Sequence, residues 1–174
     1  LALRESERQF RLLAENSQDI FDRHTPDARY TYVSPAMKAL CGYDPEELIG
    51  HSATELLHPD DIPVLAEYRK TLSRDNPISI VSYRIRHKDG HVVWAESVFR
   101  GIYDDRTGEL LEICGITRDI TKQKETEEAL HRTTEDLDSR NRLFSTLLDT
   151  VSVGIFMVEA PSGKPILANR EATR

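Results

Sequence analysis

The chain has 174 residues, 39% of them hydrophobic and 30% charged, with a net charge of −7. That size suits one domain with additions, and the acidic balance argues against a nucleic-acid partner, which calls for a basic face. No apolar run nears the ~20 residues of a membrane-spanning helix, so no membrane insertion is expected in this segment. The two cysteines, Cys41 and Cys114, form neither a metal spacing nor a disulfide framework, which suits a reducing cytoplasm. Starting at Leu1 without a methionine or signal peptide, and stopping at Arg174 inside a pattern, the chain reads as a piece of something longer.

Residues 1–16 read as a helical lead-in with Leu3, Phe10 and Leu13 on one stripe. Residues 19–24 and 29–33 follow as short strands joined by Thr25-Pro26-Asp27. Ser34-Pro35 starts a helix, hydroxyl cap then proline, that Gly42 ends; Asp44-Pro45-Glu46-Glu47 opens another with an acidic cap, and Gly50 stops it. His58-Pro59-Asp60-Asp61 launches a longer helix through Leu72, with its carboxylates toward the helix dipole and Ile62, Leu65, Tyr68 and Leu72 on the apolar side. After Asn76-Pro77 the period changes from 3.6 to 2. Val81, Tyr83 and Ile85 alternate with Ser82, Arg84 and Arg86, and residues 92–103 and 110–117 form two further strands. Between the first pair, Lys88-Asp89-Gly90 predicts a type I′ turn, with positive φ at Asp89 and Gly90. The expected fold is α+β: a five-stranded antiparallel sheet with helices on one face, followed by a long linker helix.

Residues 120–148 contain no glycine or proline, and Leu130, Leu137 and Phe144 recur every seven residues. Their companions Thr134, Asn141 and Leu148 are mostly polar, so a solvated linker helix and a dimerising coiled coil both remain open. The tail repeats the start. Leu12, Leu13, Ser17, Ile20, Phe21 and Pro26 match Leu147, Leu148, Ser152, Ile155, Phe156 and Pro161 at a constant offset, without gaps. The expected division is therefore a lead-in over 1–16, a complete domain over 17–121, a signalling helix over 122–148 and the truncated start of a second domain over 149–174.

Five motifs fall in a telling order: Tyr32-Val33-Ser34-Pro35-Ala36, Gly42-Tyr43-Asp44-Pro45-Glu46-Glu47-Leu48-Ile49-Gly50, His58-Pro59-Asp60-Asp61, Lys88-Asp89-Gly90 with Trp94, and Asp119-Ile120-Thr121. Together they resemble the PAS family with its C-terminal PAC motif, in the form found in bacterial and archaeal sensor histidine kinases. The resemblance implies a pocket between the helices and the concave face of the sheet. It also implies a relay through Asp119 and Thr121 into the outgoing helix, and an output domain further along the same chain. The function it suggests is a cytoplasmic sensory and dimerisation module of a signal-transduction protein, most simply a two-component histidine kinase. The alternative is a ligand-free structural scaffold.

Alternation places Tyr83, Ile85, Ser97, Phe99, Ile113 and Thr117 on the pocket side, as lining for a small-molecule ligand or as a filled core. The cofactor stays unknown. Trp94 and Val98 share the opposite parity and, with Leu130, Leu137 and Phe144, are the expected homodimer interface. No metal site or catalytic residue is expected. Cys41 lacks the Asn-Cys-Arg context of flavin-adduct relatives, and the helix after Pro59 has no haem-ligating histidine. His131 is followed by Arg132-Thr133-Thr134-Glu135, without the phosphorylation box of a kinase, and no serine stands in a nucleophile elbow. The segment is therefore not expected to be an enzyme.

Overall fold

The computed structural model describes residues 2–173, without the side chains of residues 2–4, 6, 7, 10 and 11. Two compact units divide between Lys124 and Glu125. In the first, α1 (Ala2–Glu15) precedes β1 (Ile20–His24) and β2 (Tyr30–Val33); α2 (Ala36–Cys41), α3 (Pro45–Leu48) and α4 (Ile62–Thr71) lead to β3 (Ile78–Arg86), β4 (Val92–Tyr103) and β5 (Leu110–Asp119). The strands form one antiparallel sheet in the order β2-β1-β5-β4-β3. Residues 34–77, with the three helices, therefore carry the chain from one edge of the sheet to the other. The expected fold is the observed one.

The core lies between those helices and one sheet face. Ile20, Val33, Val81, Tyr83, Ile85 and Ala95 meet Met37, Cys41, Leu48, Leu56 and Leu57 there. On β3 the alternation read from sequence holds residue by residue: Ser79, Val81, Tyr83 and Ile85 are buried, while Ile78, Ile80, Ser82 and Arg86 are exposed. Of the stripe expected on α1, Leu3 and Phe10 lie outside the described side chains. Leu13 is 72% exposed, and Ala14 is buried instead.

Three local expectations are corrected. The Ser34 hydroxyl does not cap α2; it accepts the Phe21 N–H at 3.0 Å, because a β1 amide without a ladder partner is near and the helix is only six residues long. The β3–β4 turn is not type I′. Gly90 has φ 100° but Asp89 keeps a negative φ; the Gly90 N–H reaches the His87 carbonyl at 2.9 Å, and the His87 N–H reaches the His91 carbonyl at 2.8 Å. One residue in the left-handed region closes the hairpin, and glycine takes that position at no steric cost. Asp61 does more than face a helix dipole. Its oxygens accept the Arg84 backbone N–H at 2.7 Å, Nε at 2.9 Å and Nη2 at 2.7 Å, tying the start of α4 to the edge strand β3.

The helix α5 (Thr121–Thr150) runs from the end of β5 into the second unit, where β6 (Phe156–Val158) and β7 (Pro165–Ala168) pair antiparallel. Asn169 is buried and fastens this unit: its Nδ2 donates to the carbonyls of Leu148 (2.9 Å) and Val153 (3.0 Å), and its Oδ1 accepts the Ile155 N–H (2.8 Å). Asn169 stands at the repeat position of Ser34. The carbonyls of the two residues accept the N–H groups of Met37 and Ala172, each three residues on and each at 3.1 Å. Among the described residues, no helix is long and apolar enough to cross a membrane.

Candidate functional site

A cavity of about 100 Å³ lies between the sheet and the helices. Its floor is the inward face of β1, β3, β4 and β5, and its roof comes from Met37, Leu56, Leu57 and α4. Five of the six expected lining residues, Tyr83, Ile85, Phe99, Ile113 and Thr117, line it. Ser97 stands behind the wall, where it joins two of them: Ser97 Oγ lies 2.7 Å from Tyr83 Oη and 2.6 Å from Thr117 Oγ1. Three hydroxyls in a row use two protons on one another, so one O–H is left to donate elsewhere. Burial raises the Tyr83 hydroxyl pKa well above its ordinary value, so this chain of hydroxyls is neutral.

Further along the floor, on β1, is an ionisable pair that the sequence reading missed. Asp22 and His24, each 5% exposed, point inward from β1, with His24 Nε2 2.9 Å from Asp22 Oδ2. The approach is close but out of line, and neither atom makes a directional hydrogen bond. The imidazole is set edge-on against Tyr30, with ring centroids 4.7 Å apart. The carboxylate occupies the space over Gly115: a Cβ built there would lie 2.2 Å from Oδ2. Burying an ionisable pair without directional partners costs several kcal/mol, so the fold holds this pair against a penalty. The legible signal was parity, since Asp22 and His24 share the parity of Ile20.

The α4 wall is the loosest part of the enclosure. Ile62, Leu65, Tyr68 and Leu72, the stripe read from sequence, all line the cavity, yet no residue of α4 is fully buried. The Arg69 guanidinium latches the helix across the mouth by donating to the Pro26 carbonyl. Cys41 is fully buried beside the cavity without lining it, and burial pushes its thiol up to about 12.

At the far end of the sheet, the two expected relay residues are joined. Asp119 Oδ1 accepts the Thr121 N–H at 2.7 Å, and Thr121 Oγ1 accepts the Trp94 N–H at 2.9 Å. Asp119 thus caps the start of α5, while the threonine hydroxyl is engaged by β4. The neighbouring Arg118 pairs with Asp19 at 2.8 Å. Trp94 is partly buried on the outer sheet face, with Arg84 and Lys124 over its ring at 5.6 and 5.9 Å. Val98 on the same face is 38% exposed, and Leu130, Leu137 and Phe144 are each more than half exposed along α5.

A sheet cupped over a buried cavity and continued into a long helix defines the architecture of a small receptor domain. A family model described as the PAS fold matches residues 30–117, half of the chain, and the chain belongs to the PAS family. The blue light receptor lreA of Aspergillus flavus is 36% identical over 88 residues, 50% of this chain and 10% of that protein. Among solved structures, a sensory box histidine kinase/response regulator from Burkholderia thailandensis is 26% identical, with a TM-score of 0.61 over 75% of this chain and 98% of that one. A PAS domain from Colwellia psychrerythraea is 25% identical, with a TM-score of 0.60 over 66% of this chain and 97% of that one. The matched stretch spans about a tenth of the length of curated relatives such as lreA.

Proposed function

We propose that this chain is the cytoplasmic sensory module of a larger signal-transduction protein, most simply a two-component histidine kinase, and that the segment itself carries no catalytic step. The observation that carries this reading is the cavity with the uncompensated Asp22–His24 pair in its floor. An apolar occupant with one hydrogen-bond acceptor and one donor fits, taking the spare hydroxyl proton with the first and offering the second to Asp22. Neither cysteine lines the cavity, so covalent capture through a thiol is not part of the reading. Occupancy would press on α4 first, the least buried wall. From there Asp61–Arg84 leads to Trp94 on β4, and Trp94 leads to Thr121 and Lys124 on α5. The reading also makes residues 149–174 the opening of a second module of the same kind, because Ser34 and Asn169 stand at equivalent places.

Native mass spectrometry of freshly purified protein, followed by a thermal-shift metabolite screen, tests the sensing claim. A co-purifying small molecule, or a compound whose stabilisation is lost in Asp22→Asn, supports it. A clean protein that no compound stabilises returns the module to the scaffold alternative.

A further inference from the structure

The β3–β4 hairpin carries a group of side chains that the cavity does not use. In His87-Lys88-Asp89-Gly90-His91, two imidazole nitrogens converge on one carboxylate oxygen. His87 Nδ1 lies 2.9 Å and His91 Nδ1 2.5 Å from Asp89 Oδ1. The two rings stack with centroids 4.2 Å apart and planes at 20°.

On His91 an Nδ1–H accounts for the shorter contact, and a metal ion would take the place of that proton. His87 is different, because its Nδ1 accepts the Asp89 backbone N–H at 3.2 Å and so holds a lone pair on that nitrogen. The same nitrogen faces the carboxylate oxygen at 2.9 Å. Two electron pairs that close repel unless a cation lies between them. A proton or a metal ion on Nδ1 would each serve the carboxylate, and each would take the lone pair from the backbone N–H. A metal ion about 2.1 Å from each donor sets neighbouring ligand atoms roughly 3.0–3.4 Å apart, so the 2.9 Å His87 spacing is nearly right and the 2.5 Å His91 spacing must open. All three donor atoms lie within 4.8 Å of one another.

The loop is held in this shape by contacts that owe nothing to a metal. The Lys88 N–H donates to the Cys41 carbonyl at 2.9 Å, and its ammonium is engaged by Glu47 at 2.6 and 2.7 Å. The His87 ring lies against Gly42, where an added Cβ would meet Cε1 at 2.8 Å. The Asp89 carboxyl also accepts the His91 backbone N–H at 3.1 Å. The side chains of Asp89 and His91 are more than half exposed, which leaves coordination positions open to solvent.

We infer that this hairpin is a divalent transition-metal site, binding an ion such as Zn²⁺ through His87, Asp89 and His91 with water completing the shell. Two imidazoles and a carboxylate favour Zn²⁺, Co²⁺ or Ni²⁺ over Mg²⁺ or Ca²⁺. The site is independent of any cavity ligand.

The test is calorimetric titration of tag-free protein with ZnCl₂, with Co²⁺ absorption as a spectroscopic check of nitrogen ligation. One site per chain is expected, with a dissociation constant in the micromolar range. His91→Ala should weaken it at least about tenfold without disturbing the fold, since that ring is exposed. His87→Ala and Asp89→Asn should do the same, whereas His51→Ala, beside Glu55 on another surface, should not. Zn²⁺ binding weaker than roughly millimolar, or unchanged in His91→Ala, would overturn the inference.

Discussion

Asp22 and Gly115 form a pair in which one residue has no side chain where the carboxyl of the other lies. The carboxylate fills the volume that a β-carbon at position 115 would claim. Gly115→Ala must therefore shift β5 or expel Asp22 from its place, at a cost of about 1–3 kcal/mol read as a fall in thermal midpoint. Restoration of the midpoint in the double variant Asp22→Ala, Gly115→Ala is the expected signature of a clash. Asp61 yields a pH prediction. Its hydrogen bonds to Arg84 hold its pKa below the ordinary carboxylate value, so the stability it contributes is complete above that value and is lost as pH falls through the folded pKa. Asp61→Asn should cost about 1–3 kcal/mol near neutrality, and the gap from the parent protein should close below about pH 4. Urea denaturation at both pH values checks it. Neither role was legible in the sequence, where Asp61 reads equally well as a cap and only the folded chain brings it beside Arg84.

Among the elements, the strands were the most readable part and the joints the least. A period of two survives on β3, β4 and β5 because one face is buried and the other is not, so sequence parity found five of the six lining positions. On β1 the same parity placed Asp22 and His24 inside, but two ionisable residues in so short a strand gave no apolar pattern to follow. The β3–β4 turn was misread because glycine alone supplies the left-handed residue, which Asp89-Gly90 does not reveal. The β5–α5 joint was located correctly, but its hydrogen bonds run differently: Asp119 holds Thr121, and Thr121 holds Trp94. The double variant Asp119→Ala, Thr121→Ala removes both bonds, worth about 1–2 kcal/mol at a helix start. The amides of Trp94 and Thr121 should then exchange with solvent at least about tenfold faster, while those of Val81 and Tyr83 do not change. Equal protection at all four would show that the joint is held by other contacts.

For the whole molecule, the open question is what covers α5. Leu130, Leu137, Leu143, Phe144 and Leu147 are each more than half exposed, and a lone helix of this length would not keep so many apolar side chains in water without a partner. A parallel homodimer is the occupant we expect, held in the micromolar range, about −8 kcal/mol, because Thr134 and Asn141 interrupt the seam. Sedimentation should show the dimer dissociating on dilution, and Leu130→Asp with Leu137→Asp should yield a monomer with an intact sheet. A fragment that stays monomeric at high concentration would assign dimerisation to another part of the parent protein.

The indole of Trp94 has an optical consequence. It is the only tryptophan in the chain, and it sits where β3, β4 and α5 converge, under Arg84 and Lys124. Emission from this fluorophore depends on nearby charge and on water access, so the protein carries an intrinsic lamp at its own β5–α5 joint. Any compound that enters the cavity and moves α5 should change the colour or brightness of that lamp without a label, and a stopped-flow trace would then time the motion.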